Sequence, residues 1–267
     1  MPVRKDTHDC GYWQKVVVMS HWVTLIVFVV TAGCGIVGLT LQRWLLDRMS
    51  DDTRDLINRV TGLVGTMTAL VLGLLIASAN GFYNAQKSSL EVTASRFLQL
   101  DGVLRRYGPE ATPVRAQLKA AAIQIYEDDW GHGRATPPTV VDSSAAIDAL
   151  ATSLDSLRPT TEAEKFRHSR ANEIAASVAD QRLLTSLQIS NSVSWPFMII
   201  LVSWTSLLFF GFGITVHRNG TSIATVAVAA FAVATAVFLI IELSQPYSGL
   251  LRLPPTPLAL TIDTLGK

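Results

Sequence analysis

The sequence predicts an all-α integral membrane protein: four transmembrane helices in two hairpins, with a central soluble helical insert. Three observations carry that prediction. Hydrophobic residues make up 49% of the 267 positions and charged residues only 16%, and the mean hydropathy is +0.34, more apolar than a soluble domain of this length. The apolar residues gather in four blocks. Nearly all the Lys, Arg, Asp and Glu lie between those blocks, so membrane spans alternate with wet segments.

Residues 1–15 form a polar N-terminal tail. The first hairpin covers 16–85. Its first block, from Val16 to Leu41, holds no charge over about 25 positions, against roughly 20 needed to cross the hydrocarbon. It is too long for the apolar core of a cleaved leader. Trp13 and Trp22 flank one end and Arg43 and Trp44 the other, the side chains expected at headgroup level. Arg43 to Arg59 reads as a short charged connection with one amphipathic turn or short helix. The second block, Val60 to Ala79, places Gly62, Gly65, Ala69, Gly73 and Ala77 at helical spacing, a stripe of small residues suited to helix contact in lipid.

The insert covers 86–190. Charge returns there, and Leu90, Phe97, Leu100, Val103 and Leu104 fall at helical spacing. Breaks are predicted at Tyr107-Gly108-Pro109, at Gly131-His132-Gly133 with Pro137-Pro138, and at Arg158-Pro159. Between them Val114 to Trp130 forms one helix, Asp142 to about Leu157 a second, and Thr161-Glu162-Ala163-Glu164 begins a third. The second hairpin, 191–243, consists of spans at about 196–216 and 222–241. Only His217-Arg218-Asn219-Gly220 joins them, which forces antiparallel neighbours. Ala224, Ala227, Ala230 and Ala234 suggest close packing of the fourth span inside the bundle. Residues 244–267 hold too many Pro and polar residues for a fifth span and read as a C-terminal interfacial tail.

The formal charge of +1 leaves no basic footprint for nucleic acid. Cys10 and Cys34 are separated by much of a leaflet, which disfavours a disulfide. No phosphate-binding loop, nucleophile elbow or paired-His zinc motif is present, so neither enzyme chemistry nor a cofactor is expected. His132 and His168 lack ligand spacing for a metal. His21, one turn inside the first span, reads as an interfacial histidine. Glu127-Asp128-Asp129 reads as a solvated helix end rather than a calcium site, because neighbouring carboxylates on a helix diverge.

The expected partners are the lipid bilayer, inorganic ions and further copies of the chain. Glu242 is the leading ionisable candidate. A carboxylate at the end of an apolar helix either bonds backbone donors in the following hook or faces an ion pathway. Gln245 follows it. Ser78, Asn80 and Asn84 form a polar rim after the second span, suited to exchanging an ion's water for side-chain oxygens or to capping the interface. Thr66, within that span, is a weaker candidate because threonine returns its hydroxyl bond to its own helix.

With four spans, both termini and the insert share one face. That face carries Arg4, Lys5, Lys15, Lys87, Arg96, Arg182 and Arg252, and the other Arg43, Arg48, Arg54, Arg59 and Arg218. The bias favours cytoplasmic termini in a bacterial inner membrane.

The order of these features resembles the bestrophin-like, domain-of-unknown-function family of bacterial four-helix membrane proteins. The resemblance rests on Glu91-Val-Thr-Ala-Ser, on the helix ending Ile125-Tyr126-Glu127-Asp128-Asp129-Trp130, on Arg170 with Arg182, and on the C-terminal motif. There Glu242, Leu243, Pro246, Tyr247 and Gly249 match, while Ser244 stands where the family pattern has an acidic residue. The resemblance implies a structural role for Pro246, Tyr247, Gly249 and Arg182. It also implies an oligomeric membrane ion channel, since bestrophins are pentameric anion channels with a cytoplasmic helical domain. A membrane-anchored interaction or stress-sensing protein with no conduction is the alternative.

Overall fold

The computed structural model describes residues 10–46, 50–130, 140–190, 195–216, 219–247 and 250–267. All regular structure among the described residues is helical: α1 Cys10–Leu46, α2 Asp51–Tyr107, α3 Thr112–Trp130, α4 Val140–Asp155, α5 Glu162–Ser190, α6 Trp195–Thr215, α7 Gly220–Leu243 and α8 Thr256–Thr264. Four of them, α1, α2, α6 and α7, are long and apolar enough to cross a membrane. The predicted breaks at Gly131–Gly133 and Pro137-Pro138 lie outside the described residues, as does the join between α5 and α6.

The charged connection is shorter than the sequence suggests. α1 runs to Leu46 and α2 starts at Asp51, so Arg54 and Arg59 belong to α2 itself. Arg54 donates to the carbonyl of Thr215 at 3.0 Å. The last carbonyls of α6 have no partner within their own helix, and a guanidinium there supplies both a donor and a favourable charge.

The chain divides into two compact units. The membrane unit comprises Val17–Phe82 and Val193–Ser244. Its closest packing is backbone against backbone where α1 crosses α6. A Cβ on Gly38 would lie 2.5 Å from the Phe210 carbonyl oxygen and 2.9 Å from Gly213 Cα, and a Cβ on Gly213 would strike the Gly35 carbonyl oxygen. Only hydrogen fits there, and removing side chains is how helices gain dispersion contact in lipid, where the hydrophobic effect between them is absent. The small stripe of α2 is not used this way, because Gly62 and Gly73 face open space. Nor is α7 an inner helix along its length: Ala230 and Ala234 are buried, whereas Ala224 is exposed.

The insert unit comprises Met1–Val16, Tyr83–Ser192 and Gln245–Lys267. α2 stops at Tyr107 because Gly108 adopts φ 133°, a conformation open to glycine. Pro109–Ala111 then form a 3-10 turn into α3. Phe97, Leu100 and Leu104 of α2 pack with Leu118 and Ile125 of α3, Leu150 and Leu154 of α4 and Ile174 of α5 in one core. Residues 244–267, read from the sequence as an interfacial tail, add Leu258 and Leu265 to that core. Arg115 closes a bidentate pair onto Asp101, at 2.7 and 3.1 Å, between α3 and α2.

α5 opens with a reciprocal cap. Glu164 N donates to Thr161 Oγ1, and Glu164 Oε2 accepts from the backbone N–H groups of Thr160 and Thr161 and from the Thr160 hydroxyl. The two backbone donors, then the hydroxyls, pull the Glu164 carboxyl down from 4.5 to about 2.

Two outcomes follow from this packing. Gly213→Ala must push α1 and α6 apart and should cost about 1–3 kcal/mol, read as a lowered thermal midpoint in detergent, while Gly73→Ala should leave it unchanged or raised. The Glu164 cap stabilises the fold fully above pH 4.5 and loses that contribution as pH falls toward 2, because the folded pKa is the depressed one. Glu164→Gln should therefore lower the midpoint near neutrality and flatten its fall with acid over that window, as measured by circular dichroism.

Candidate functional site

A dense polar node lies in the insert unit at the C-terminal end of α3. Asp129 has a side chain with no exposed surface, and that of Arg182 on α5 is 7% exposed. Arg182 grips the carboxylate with both terminal nitrogens, at 2.9 and 3.3 Å. This overturns the reading of Asp129 as part of a solvated helix end. Neighbouring carboxylates on a helix do diverge, and one of them points inward, toward a partner 53 residues away. Burial alone would lower the Arg182 pKa. The attraction and hydrogen bonds of Asp129 outweigh it and hold the guanidinium above its ordinary value.

The tail closes over this pair. Arg252 donates to the Asp129 backbone carbonyl at 2.9 Å, and Trp130 Nε1 donates to the Leu253 carbonyl at 3.0 Å. Leu253 N returns a bond to the Pro246 carbonyl at 2.8 Å. Tyr247 stands edge-on to Trp130 with ring centroids 5.9 Å apart, and Tyr126 is tilted against the same indole at 5.8 Å. Burial, then the Asp129 charge, pushes the Tyr247 phenol well above its usual range, so it stays a neutral donor at any physiological pH. Of the four residues assigned a structural role from the sequence, Arg182, Pro246 and Tyr247 lie in this unit, and Arg182 and Tyr247 belong to this node. Gly249 lies outside the described residues. Asp129, Trp130 and Arg252 complete the arrangement; their signal in the sequence was Asp129-Trp130 directly before a Gly-rich break, which fixes a helix end.

The ion-pathway candidates divide differently. Glu242, 2% exposed, occupies the last turn of α7 in the membrane unit. Gln245 belongs to the insert unit and is partly exposed. Ser78, Asn80 and Asn84 are exposed along α2, as is Thr66, whose hydroxyl donates to the Leu63 carbonyl at 2.8 Å. At about 100° per residue, Thr66 and Asn80 of the membrane unit fall within ~40° of one another on α2, with Gly62 and Gly73 on the same side, while Asn84 belongs to the insert unit. Ser78 lies more than ~100° from them and leaves that face. His21 tilts against Phe238 at 5.6 Å. Among the described residues no group of three or more His, Cys, Asp or Glu is placed to hold a metal ion.

The family model for the Bestrophin-like domain matches residues 27–258. The chain belongs to the bestrophin-like family. Its fold is also that of solved bacterial relatives. Three structures of a bestrophin homologue from Klebsiella pneumoniae, two of them point variants, superpose with TM-scores of 0.66, 0.67 and 0.65 at 13%, 14% and 12% identity. They cover 91%, 91% and 90% of this chain and 96%, 97% and 95% of theirs. No curated protein sequence matches it. The bestrophin-like assignment places the Asp129–Arg182 node and the Glu242–Tyr247 stretch inside the family domain.

Removing one charge from the node strands the other. Asp129→Asn should destabilise the protein by about 3–5 kcal/mol, seen as a large drop in thermal midpoint. Asp129→Leu combined with Arg182→Met should recover much of that loss, because the pair is then replaced by apolar volume.

Proposed function

We propose that this bestrophin-like chain is the subunit of a homo-oligomeric, anion-conducting ion channel of the bacterial inner membrane, with α2 facing the conduction path and with the termini and helical insert in the cytoplasm. One observation carries the reading. The apolar window of α2 is 11% buried, against 44% for α6, and its uncovered face mixes Gly62, Thr66 and Gly73 with Asn80. A helix covered only by lipid gains nothing from a carboxamide on its lipid side, whereas amides around a shared axis offer both donors and oxygens to a dehydrating ion. Between Gly62 and Asn80 the same face holds no charge, so passing ions would be bound weakly enough to leave. Family membership supports conduction independently of this face.

The test is reconstitution of the purified protein into planar bilayers under a chloride gradient. Conductance should appear, with a reversal potential on the chloride side of zero, and Asn80→Asp should move that potential toward the cation. Silence across salts, pH values and calcium concentrations would overturn the proposal and favour a membrane-anchored interaction or stress-sensing protein.

A further inference from the structure

The core between α2 and α5 changes character along its length. Around Phe97 and Leu100 it is apolar. Nearer Tyr83, where the insert unit begins, it becomes a seam of amides and hydroxyls. Gln86 Nε2 donates to Gln188 Oε1 at 3.0 Å. Ser89 Oγ and Thr185 Oγ1 share a bond of 2.8 Å, and Gln181 Nε2 donates to Ser89 Oγ at 2.9 Å.

The donors and acceptors in this seam do not balance. Gln86 is 0% exposed, and its Oε1 has no hydrogen-bond partner. Leaving such an oxygen unsatisfied in a core costs about 1–3 kcal/mol. One turn along α2, Ser89 and Thr185 have two hydroxyl hydrogens and one mutual bond. Whichever hydroxyl accepts in that bond has its own hydrogen left to place. Thr93, by contrast, donates to the Ser89 carbonyl at 2.9 Å. So the seam holds one spare acceptor, on Gln86, and one spare donor, on Ser89 or on the Thr185 bonded to it; Gln86 and Ser89 are three residues apart on one helix face, where Cβ atoms are about 5–6 Å apart. Two hydrogen bonds through one intervening oxygen span that distance.

We propose that this seam is an internal water site, in which a single water accepts from the Ser89–Thr185 hydroxyl pair and donates to Gln86 Oε1. Water fits better than the other small ligands. A cation would serve only the acceptor, and the seam offers it no carboxylate, whereas turning the Gln86 amide over exposes an N–H that water can also satisfy. Gln86 itself is fully covered within one chain. The exposed Asn84 is two residues away, which places it on nearly the opposite side of α2.

A high-resolution cryo-EM map of the full-length protein should show an ordered solvent peak within hydrogen-bond distance of the Gln86 amide and of Ser89 or Thr185. A map that resolves other internal waters but leaves this position empty would overturn the proposal. Stability gives a second reading in detergent. Gln86→Met discards the water and should lower the thermal midpoint by about 2–4 °C; a midpoint unchanged or raised would mean the amide oxygen was simply unsatisfied. Replacing NaCl by N-methylglucamine chloride at constant ionic strength should leave the wild-type midpoint unmoved, and a sodium-dependent shift would replace water with a cation and overturn the assignment.

Discussion

The insert unit depends on one buried charge pair. Taking a carboxylate and a guanidinium out of water costs several kcal/mol for each ion, and only close, two-pronged geometry offsets it. Asp129 and Arg182 have that geometry, and they keep it because the C-terminal segment covers them. Coverage and pairing depend on each other. Without Trp130, Tyr247 and the Leu253–Pro246 backbone bond, water would reach the carboxylate and weaken the attraction. Without the pair, the same cover would press on an uncompensated charge. Arg252 adds a bond that is useful whatever the pair does, since it occupies a carbonyl at the last turn of α3.

The membrane unit follows a different rule. Its strongest constraint is absence of side chains, at Gly35, Gly38 and Gly213, where two backbones meet. A long polar reach, from Arg54 to the Thr215 carbonyl, sits at a helix end. α2 contributes little burial to this packing: Gly62 and Gly73 face open space, and Leu63, Met67, Leu70 and Leu74 are exposed.

What could be read from the sequence was what is local. The four apolar blocks, the stop at Tyr107-Gly108-Pro109 and the Thr161–Glu164 cap all depend on residues within a turn or two of one another. The node was half legible. Arg182 and Tyr247 stood out by resemblance, but Asp129 was lost in a run of three acids because its partner is remote in sequence and spacing cannot say which of three carboxylates turns inward. The tail misled for a related reason. Leu258 and Leu265 look unremarkable after a Pro-rich stretch, and only the three-dimensional core shows them filling a place beside α3. The charged start of α2 reads as a connection because helix ends rich in Asp and Arg carry no apolar period.

The position of α8 has a consequence for how the molecule is made. Lys119 bonds the carbonyl of Leu265, 146 residues later, and Leu258 and Leu265 complete a core begun by α2. These residues follow both hairpins in the chain and are synthesised after them. The insert unit therefore stays open on one side until they emerge and dock. A stop codon before Leu258 would leave an unfinished core, exposed and prone to aggregation or degradation, on a chain whose membrane helices had already been made.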